Sequence, residues 1–419
     1  MLKTIVLFFF LITSNSIFAS FILIPMDAVT QTNHLKAYGI VYWSIQHGHK
    51  AKWLLNYEGG SFLLEDTKAT RNECVIRGVT FEVISDIETT KILEEISSPS
   101  KNTDAVVLEK APKIAVYSPK NKMPWDDAVT MVLTYAEIPF DVIYDEDVLN
   151  DKLLEYEWLH LHHEDFTGQY GKFYGAYRNA PWYIEQKQNA EALAKQLGYK
   201  KVSKEKLAVA KKIKDFVIGG GFMFAMCSAT DSFDIALAAQ NTDICESMFD
   251  GDPSALNYHG KLDFTKTLAF QNFKLERNPL VYEFSSIDMT NKRKIKRTSD
   301  YFTLQEYSAK WDPIPTMLCQ NHTQYIKGFM GQTTAFDKTT VKPNVLIMGK
   351  NMNNGEARYI HGELGKGMFT FYGGHDPEDY QHRVGDLKTE LDLHPNSPGY
   401  RLILNNVLFP AAKKKKQKT

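Results

Sequence analysis

Past its first twenty residues, this 419-residue chain has no apolar run approaching the ~20 residues that a membrane-spanning helix needs. Cysteine is scarce. Cys74, Cys227, Cys245 and Cys319 match no zinc-ligand spacing and are too few to build a disulfide framework. Neither sign of charge is in excess, with 49 Lys and Arg against 50 Asp and Glu, so no nucleic-acid partner is expected. There is no H-E-x-x-H pair and no internal repeat, and the only low-complexity tract is at the C-terminal end. These absences exclude a helical membrane protein, a disulfide-stapled miniprotein and a solenoid.

What is present suits a large packed protein: 43% of residues are hydrophobic and 12% aromatic, which excludes disorder and implies more than one core. The first residues, "MLKTIVLFFFLITSNSIFAS", read as a secretory signal. Lys3 supplies the positive region, Ile5 to Ile12 the apolar run, and "IFA" a cleavage site after Ala19. Residues 1–19 are therefore expected to be removed, leaving a soluble protein in the periplasm or outside the cell. Export would also permit a disulfide, and a Cys227–Cys245 bridge would remove the most conspicuous thiol. At the other end, residues 411–419, ending in "KKKKQKT", read as a basic disordered tail able to make weak contact with an anionic membrane.

Residues 20–110 read as a small α/β domain. Short apolar runs ("AYGIVYWSI", "AKWLLNY", "SFLLE") are broken by turn signals, and "SPSKNTD" is a linker. From residue 111 the pattern alternates. "KIAVYS", "FDVIY", "YEWLHLHH" and "FMFAMC" are strands, and "PWDDAVTMVLTYAEI", "PWYIEQKQNAEALAKQLG", "SKEKLAVAKKIKDFVIGGG" and "DSFDIALAAQ" are helices. Such alternation predicts a mostly parallel sheet covered on both faces, a three-layer α/β/α flavodoxin-like domain over 111–410. A hairpin-rich stretch follows, and "PGYRLILNNVLFP" closes the chain as an amphipathic helix.

Ligands of such folds gather at the C-terminal ends of the strands, where three polar clusters fall. Cys227 stands where a strand turns into a helix, a turn that exposes a nucleophile and offers backbone N–H groups to an oxyanion; a buried apolar cysteine is the plain alternative. His375, in "GGHDPEDYQH", can take a thiol proton, with Glu378 or Asp376 to orient it. In "HLHHED", His160 and His162 share one face of a strand and His163 the other. With Glu164 and Asp165 they line a polar cleft, or with His375, Asp376 or His382 they hold a divalent ion. No motif demands a metal or other cofactor. Trp125, Tyr174, Tyr177 and Trp182 can stack on sugar rings or pack under loops.

The stretch "KKIKDFVIGGGFMFAMCSATDSFDIALA" resembles the nucleophile elbow of the class I glutamine-amidotransferase-like superfamily. "GELGKGMFTFYGGHDPEDYQ" with "PGYRLILNNVLFP" is similar to the closing segment of its trehalose-utilisation-type branch. The resemblance covers about 111–240 and 357–410. It implies Cys227 as nucleophile, His375 as base and Glu378 as acid, although Asp376 interrupts the usual His-Pro-Glu succession. "SATDS" (228–232) is similar to the pyrophosphate loop of asparagine-synthetase-type enzymes, and "HLKAYG" and "LLNYEGGSF" are similar to chains named asparagine synthetase B. That loop closes on phosphate through glycines, and Ala229 and Thr230 stand at both glycine positions.

Four functions are thereby expected in competition. The first is Cys-dependent hydrolysis or transfer at an amide or related carbonyl, with Ser228, Asp376 and residues 160–165 contacting a small-molecule or glycan substrate. The others are non-catalytic binding of carbohydrate or cell-wall fragments, ATP-dependent amide transfer, and metal-assisted hydrolysis through His162, His163 and His375.

Overall fold

The computed structural model describes residues 20–119 and 124–413. The expected signal segment and residues 414–419 lie outside the described residues.

The N-terminal segment forms an antiparallel sheet of order β4-β1-β3-β2-β5. Its strands are β1 (Ser20–Ile24), β2 (Ala51–Leu55), β3 (Phe62–Glu65), β4 (Glu82–Ser85) and β5 (Asp104–Leu108). Helices α1 (His34–Gln46), α2 (Lys68–Ile76) and α3 (Asp86–Ser97) connect them. Helix α3 starts on a capping box between Ser85 and Glu88, which satisfies N–H groups that the helix cannot reach itself.

The second sheet has nine strands in the order β11-β10-β12-β13-β14-β9-β8-β6-β7. Its parallel half comprises β6 (Ile114–Tyr117), β7 (Asp141–Ile143), β8 (Trp158–Leu161), β9 (Phe222–Met226) and β14 (Gly367–Tyr372). Counted within that half, the order is 2-1-3-4-5, a doubly wound arrangement whose direction reverses between β6 and β8. Strands β6, β8 and β9 are buried along their whole length, the signature of a sheet covered on both faces. Helices α4 (Ala128–Tyr135), α5 (Asp145–Leu149), α6 (Tyr174–Tyr177), α7 (Pro181–Gln196), α8 (Val202–Gly219), α9 (Ala229–Ala238) and α10 (Ser247–Asp250) follow these strands. Gly220, at φ 124°, ends α8 in a conformation that side chains disfavour and turns the chain into β9.

The sheet is half antiparallel, where a mostly parallel one was expected. Strands β10 (Tyr301–Leu304), β11 (Tyr325–Lys327), β12 (Leu346–Asn351) and β13 (Ala357–Leu364) all pair antiparallel with their neighbours. The physical reason is connection length: Gly365 and Lys366 alone join β13 to β14, and so short a loop permits only a hairpin.

The two sheets share a core. One continuous core joins Tyr38, Trp53 and Phe62 to Val116, Phe224, Tyr372, Leu402 and Ile403. Gly39 of α1 lies so close to the end of α4 that a Cβ there would sit 1.8 Å from the Ala136 carbonyl oxygen. The last helix, α12 (Pro398–Leu408), is buried from Gly399 to Leu408 and so is not the one-sided amphipathic helix expected. Its Arg401 donates to Met26 O (3.1 Å) and Tyr38 Oη (3.1 Å), and its Asn405 to Leu318 O (3.1 Å) of α11 (Pro313–Leu318) and to Gln320 O (2.7 Å). The start of the expected tail is structured: Lys413 N donates to Val107 O (2.8 Å), and Glu109 N to Ala411 O (2.7 Å), extending the edge of β5.

Candidate active site

The site forms where the parallel half reverses, at the C-terminal ends of β6, β8, β9 and β14. Four backbone segments meet there, and each has a local reason for its shape.

Cys227 follows β9 directly and adopts φ 52°, a left-handed conformation costing a non-glycine residue about 1–2 kcal/mol. Its N–H donates to Gly374 O (3.2 Å), and its sulfur accepts from Gln332 N (3.4 Å). Ser228 follows at the head of α9, so the sulfur stands at the N-terminus of a ten-residue helix, where negative charge is favoured. The other wall of the bend is β14, whose chain leaves through Gly373 and Gly374 to place His375 beside the sulfur. A His375 ring nitrogen and Cys227 Sγ lie within 4.8 Å of each other.

The acid that faces His375 is Asp126. Its Oδ1 is 3.6 Å from His375 Nε2 and 2.9 Å from His382 Nε2. Glu378, expected in this role, lies with its carboxylate 3.3 Å from His394 Nδ1. Asp376 explains the difference: it accepts from Glu378 N (2.9 Å) and from the Thr389 hydroxyl (2.7 Å), building a turn and taking no part in the cleft. Asp126 reaches the site because the expected first turn of α4 is not helical. Asp127 caps α4 instead, accepting from Val129 N (2.8 Å) and Thr130 N (2.9 Å), which leaves Pro124 to Asp126 free to bend over the strand ends. The adjacent acids of "PWDD" were the sequence signal for this, hidden by their equally good fit to a helix start.

Burial alone would raise the Asp126 pKa, but hydrogen bonds from His375 and His382 outweigh it and hold the carboxyl well below its usual range. His375 shows the reciprocal effect. Burial opposes its charge, yet Asp126 and then Cys227 favour the imidazolium and raise its pKa to about 10. His382 is raised as well, chiefly by Asp126.

The expected cleft histidines divide. His160 is fully buried, bound through Nδ1 to Phe224 O (3.2 Å) and through Nε2 to Asp127 Oδ2 (3.1 Å), and therefore braces the sheet without lining the cleft. His162 lies behind the site with Nδ1 3.3 Å from Asp127 Oδ2, while His163 reaches the cleft wall with Nε2 2.8 Å from the Asp126 carbonyl oxygen. Burial lowers the pKa of both, His162 to about 4 and His163 well below the usual imidazole range. His162, His163, His375 and His382 stack in sequence with ring centroids 3.9, 4.6 and 4.6 Å apart. Glu164 and Asp165 line a neighbouring cavity with Tyr144 and Lys206, and Asp165 ties its own loop by accepting from Thr167 N (2.7 Å) and Gly171 N (3.0 Å).

Cys227, Ser228, His163, His375 and His382 open on one cleft of about 460 Å³. Trp125, Phe173, Tyr177 and Tyr282 form much of its wall, with Lys172, Glu283 and Arg383 as charged groups. Gln332, which the sequence reading missed, ties the far wall: its side-chain amide donates to Gly171 O (2.7 Å) and Tyr282 O (2.8 Å). Trp125 stacks on Phe173 at 5.3 Å and meets Trp182 edge-on at 5.4 Å, so these rings pack largely on one another.

Two alternatives raised by the sequence meet physical obstacles. All four cysteines are free, and Cys245 donates its S–H to Thr167 O (3.1 Å), well occupied away from Cys227. The "SATDS" stretch is the buried head of α9, with Asp231 accepting from Thr333 Oγ1 (2.9 Å), so it presents no open loop to a phosphate. Among the described residues five groups could hold a metal ion, and three of them draw on His160–His163, Cys227 or His375: His162, His163, Cys227 and His375; Asp126, His375 and His382; and Asp127, His160 and His162.

No protein-family model matches the chain, and no curated protein matches it either. Among solved structures it is similar to cytoplasmic protein STM3548 from Salmonella typhimurium, at 10% identity over 72% of this chain and 100% of that one, with a TM-score of 0.35. It is similar also to cytoplasmic protein STM1381 from Salmonella typhimurium LT2, at 13% identity over 72% and 100%, with a TM-score of 0.36. A third similar structure is Gan42B, a GH42 beta-galactosidase from G. stearothermophilus, at 11% identity over 64% of this chain and 28% of that one, with a TM-score of 0.26. Function has to be sought in the site's own geometry.

Proposed function

We propose that the protein is a cysteine-dependent hydrolase or transferase acting at an amide or a related carbonyl. Cys227 is the nucleophile, His375 the proton carrier and Asp126 the group that orients it. The observation carrying this reading is the left-handed Cys227 at a strand-to-helix bend, with His375 beside its sulfur and Asp126 behind the imidazole. Strain held at a bend of this kind marks a position whose side chain must point outward.

The chemistry follows from that arrangement. His375, held as the imidazolium, carries the proton of the Cys227–His375 pair while the sulfur bonds to the carbonyl carbon, and the oxyanion forms next to the Ser228 N–H. The carbon–nitrogen bond breaks as His375 returns the proton to the leaving amine, and a thioester remains on Cys227. Water, or an acceptor amine in a transferase, then attacks the thioester and frees the thiol. Asp126 keeps its charge throughout and stabilises the imidazolium between the two proton transfers. The parallel half, read as the flavodoxin-like sheet of the class I amidotransferase-like type, supports the same assignment, and the cleft volume suits a small-molecule substrate. The signal-like N-terminus supports action after export, and the basic tail supports weak contact with an anionic membrane.

The other thiols sharpen the test, because burial raises the pKa of Cys74 to about 12 and those of Cys245 and Cys319 well above the usual thiol range. Incubating the native protein with p-nitrophenyl acetate and mapping peptides by mass spectrometry is expected to place the acetyl group on Cys227. Rapid labelling of Cys227 that slows in His375→Ala supports the reading. An unmodified Cys227 in folded protein overturns it.

A further inference from the structure

We propose that His162, His163, Cys227 and His375 form a binding site for a thiophilic divalent cation of the zinc class, which silences the nucleophile when it binds. The consequence for catalysis rests on the function proposed above; the binding itself does not.

One ligand atom from each of these residues falls within a sphere in which all pairs are at most 4.8 Å apart. Each imidazole faces an oxygen with one nitrogen: His163 Nε2 is hydrogen-bonded to the Asp126 carbonyl (2.8 Å), while His162 Nδ1 lies 3.3 Å from the Asp127 carboxylate and His375 Nε2 lies 3.6 Å from the Asp126 carboxylate. That outer layer of oxygens, orienting each ring from behind, is characteristic of metal-binding histidines. A three-residue catalytic group needs no second pair of histidines, and the function proposed above assigns none to His162 or His163.

The second observation is His162 itself. It is 2% exposed, and neither of its ring nitrogens makes a hydrogen bond, the nearest oxygen to Nδ1 being the Asp127 carboxylate at 3.3 Å. A buried imidazole nitrogen without a partner costs about 1–3 kcal/mol, which a metal–nitrogen bond would offset. Three imidazoles with one thiolate favour zinc or copper over magnesium or calcium, which prefer oxygen ligands. The His162 and His163 rings lie face to face, so closing on one ion turns one of them about its side-chain torsions. Binding releases to solvent the proton carried by the Cys227–His375 pair, and no electron is transferred.

The experiment uses the full chain, stripped with EDTA and dialysed. One equivalent of Zn²⁺ is expected to slow iodoacetamide alkylation of Cys227 by ~10-fold or more, EDTA to reverse this, and excess Mg²⁺ or Ca²⁺ to leave the rate unchanged. Co²⁺ is expected to give a thiolate-to-cobalt charge-transfer band that is absent in Cys227→Ser and lost in His162→Ala. Asp127→Asn, which keeps every proposed ligand, is expected to weaken Co²⁺ binding by about 10–100-fold. Alkylation indifferent to Zn²⁺, or bound Co²⁺ without the thiolate band, overturns the proposal while leaving the nucleophile reading intact. A Cys227 inert to iodoacetamide even in EDTA, with the Co²⁺ band present, supports the metal site and counts against the nucleophile. If His162→Ala does not fold, the wild-type measurements decide.

Discussion

The bend at Cys227 makes a thermodynamic prediction whose sign is opposite to the ordinary one. At most positions glycine is less stable than alanine by about 0.5–1 kcal/mol, because it gives up more freedom on folding. Cys227 sits at φ 52°, where a Cβ costs about 1–2 kcal/mol and glycine pays nothing. Cys227→Ala and Cys227→Gly both remove the sulfur and its contact with Gln332 N, so the lost thiol cancels between them. The difference that remains is the strain of the Cβ less the entropy of glycine, and Cys227→Gly should be the more stable by about 0.5–1 kcal/mol. Urea unfolding of the two variants, compared at equal m-values, measures it. A Gly variant less stable than the Ala variant would refute the claim that this residue is held in a strained bend, and with it the structural case for a nucleophile there.

Two further predictions concern the frame of the site. Lys206 is buried between Asp145 (2.8 and 3.0 Å), Tyr117 Oη (3.0 Å) and Tyr144 Oη (3.1 Å), so Lys206→Met strands a buried carboxylate and should cost about 3–5 kcal/mol in urea unfolding. Adding Asp145→Leu should recover most of that loss, and independent, additive costs would contradict the pairing. The second concerns pH. His34 is fully buried against His322 (4.2 Å between rings) and near Arg401; burial first and Arg401 second lower its pKa to about 4, and burial first and His34 second lower that of His322 to about 3. Because the unfolded chain binds these protons near pH 6.5 and the folded one does not, stability should be lost as pH falls below that value. His34 alone accounts for about 1–2 kcal/mol between pH 6 and 4.5. His162 and His163 act in the same direction, so the informative comparison is with His322→Gln, whose melting temperature should fall less steeply over that range; parallel curves would reject the coupling.

Much of the parallel half was legible because its strands leave a distinctive trace. "KIAVYS" and "FMFAMC" are apolar on both faces, and glycines mark the turn before β9, so strand, bend and helix can be read in order around Cys227. His375 was legible for a similar reason, as a polar residue directly after an apolar strand. Asp126 was not, because its partner is distant in sequence and "PWDD" satisfies the rules for a helix start. Glu378 looked right by proximity alone, and proximity misled because Asp376 folds the intervening turn toward His394. The packing of the first hundred residues on the rest was equally illegible: composition shows a linker, while the fit of Gly39 against Ala136 is a property of two surfaces that no local pattern records.

The position of α12 bears on how the chain comes into being. Arg401 and Asn405 close contacts with residues made at the beginning of synthesis, Met26 and Tyr38 among them, and with α11. While a ribosome is still extending the chain, the first sheet has α1 against it but α1 lacks the helix that covers its other side. Until the final segment emerges, the apolar side chains that meet α12 stay open to solvent, and exposed surface of that kind favours aggregation.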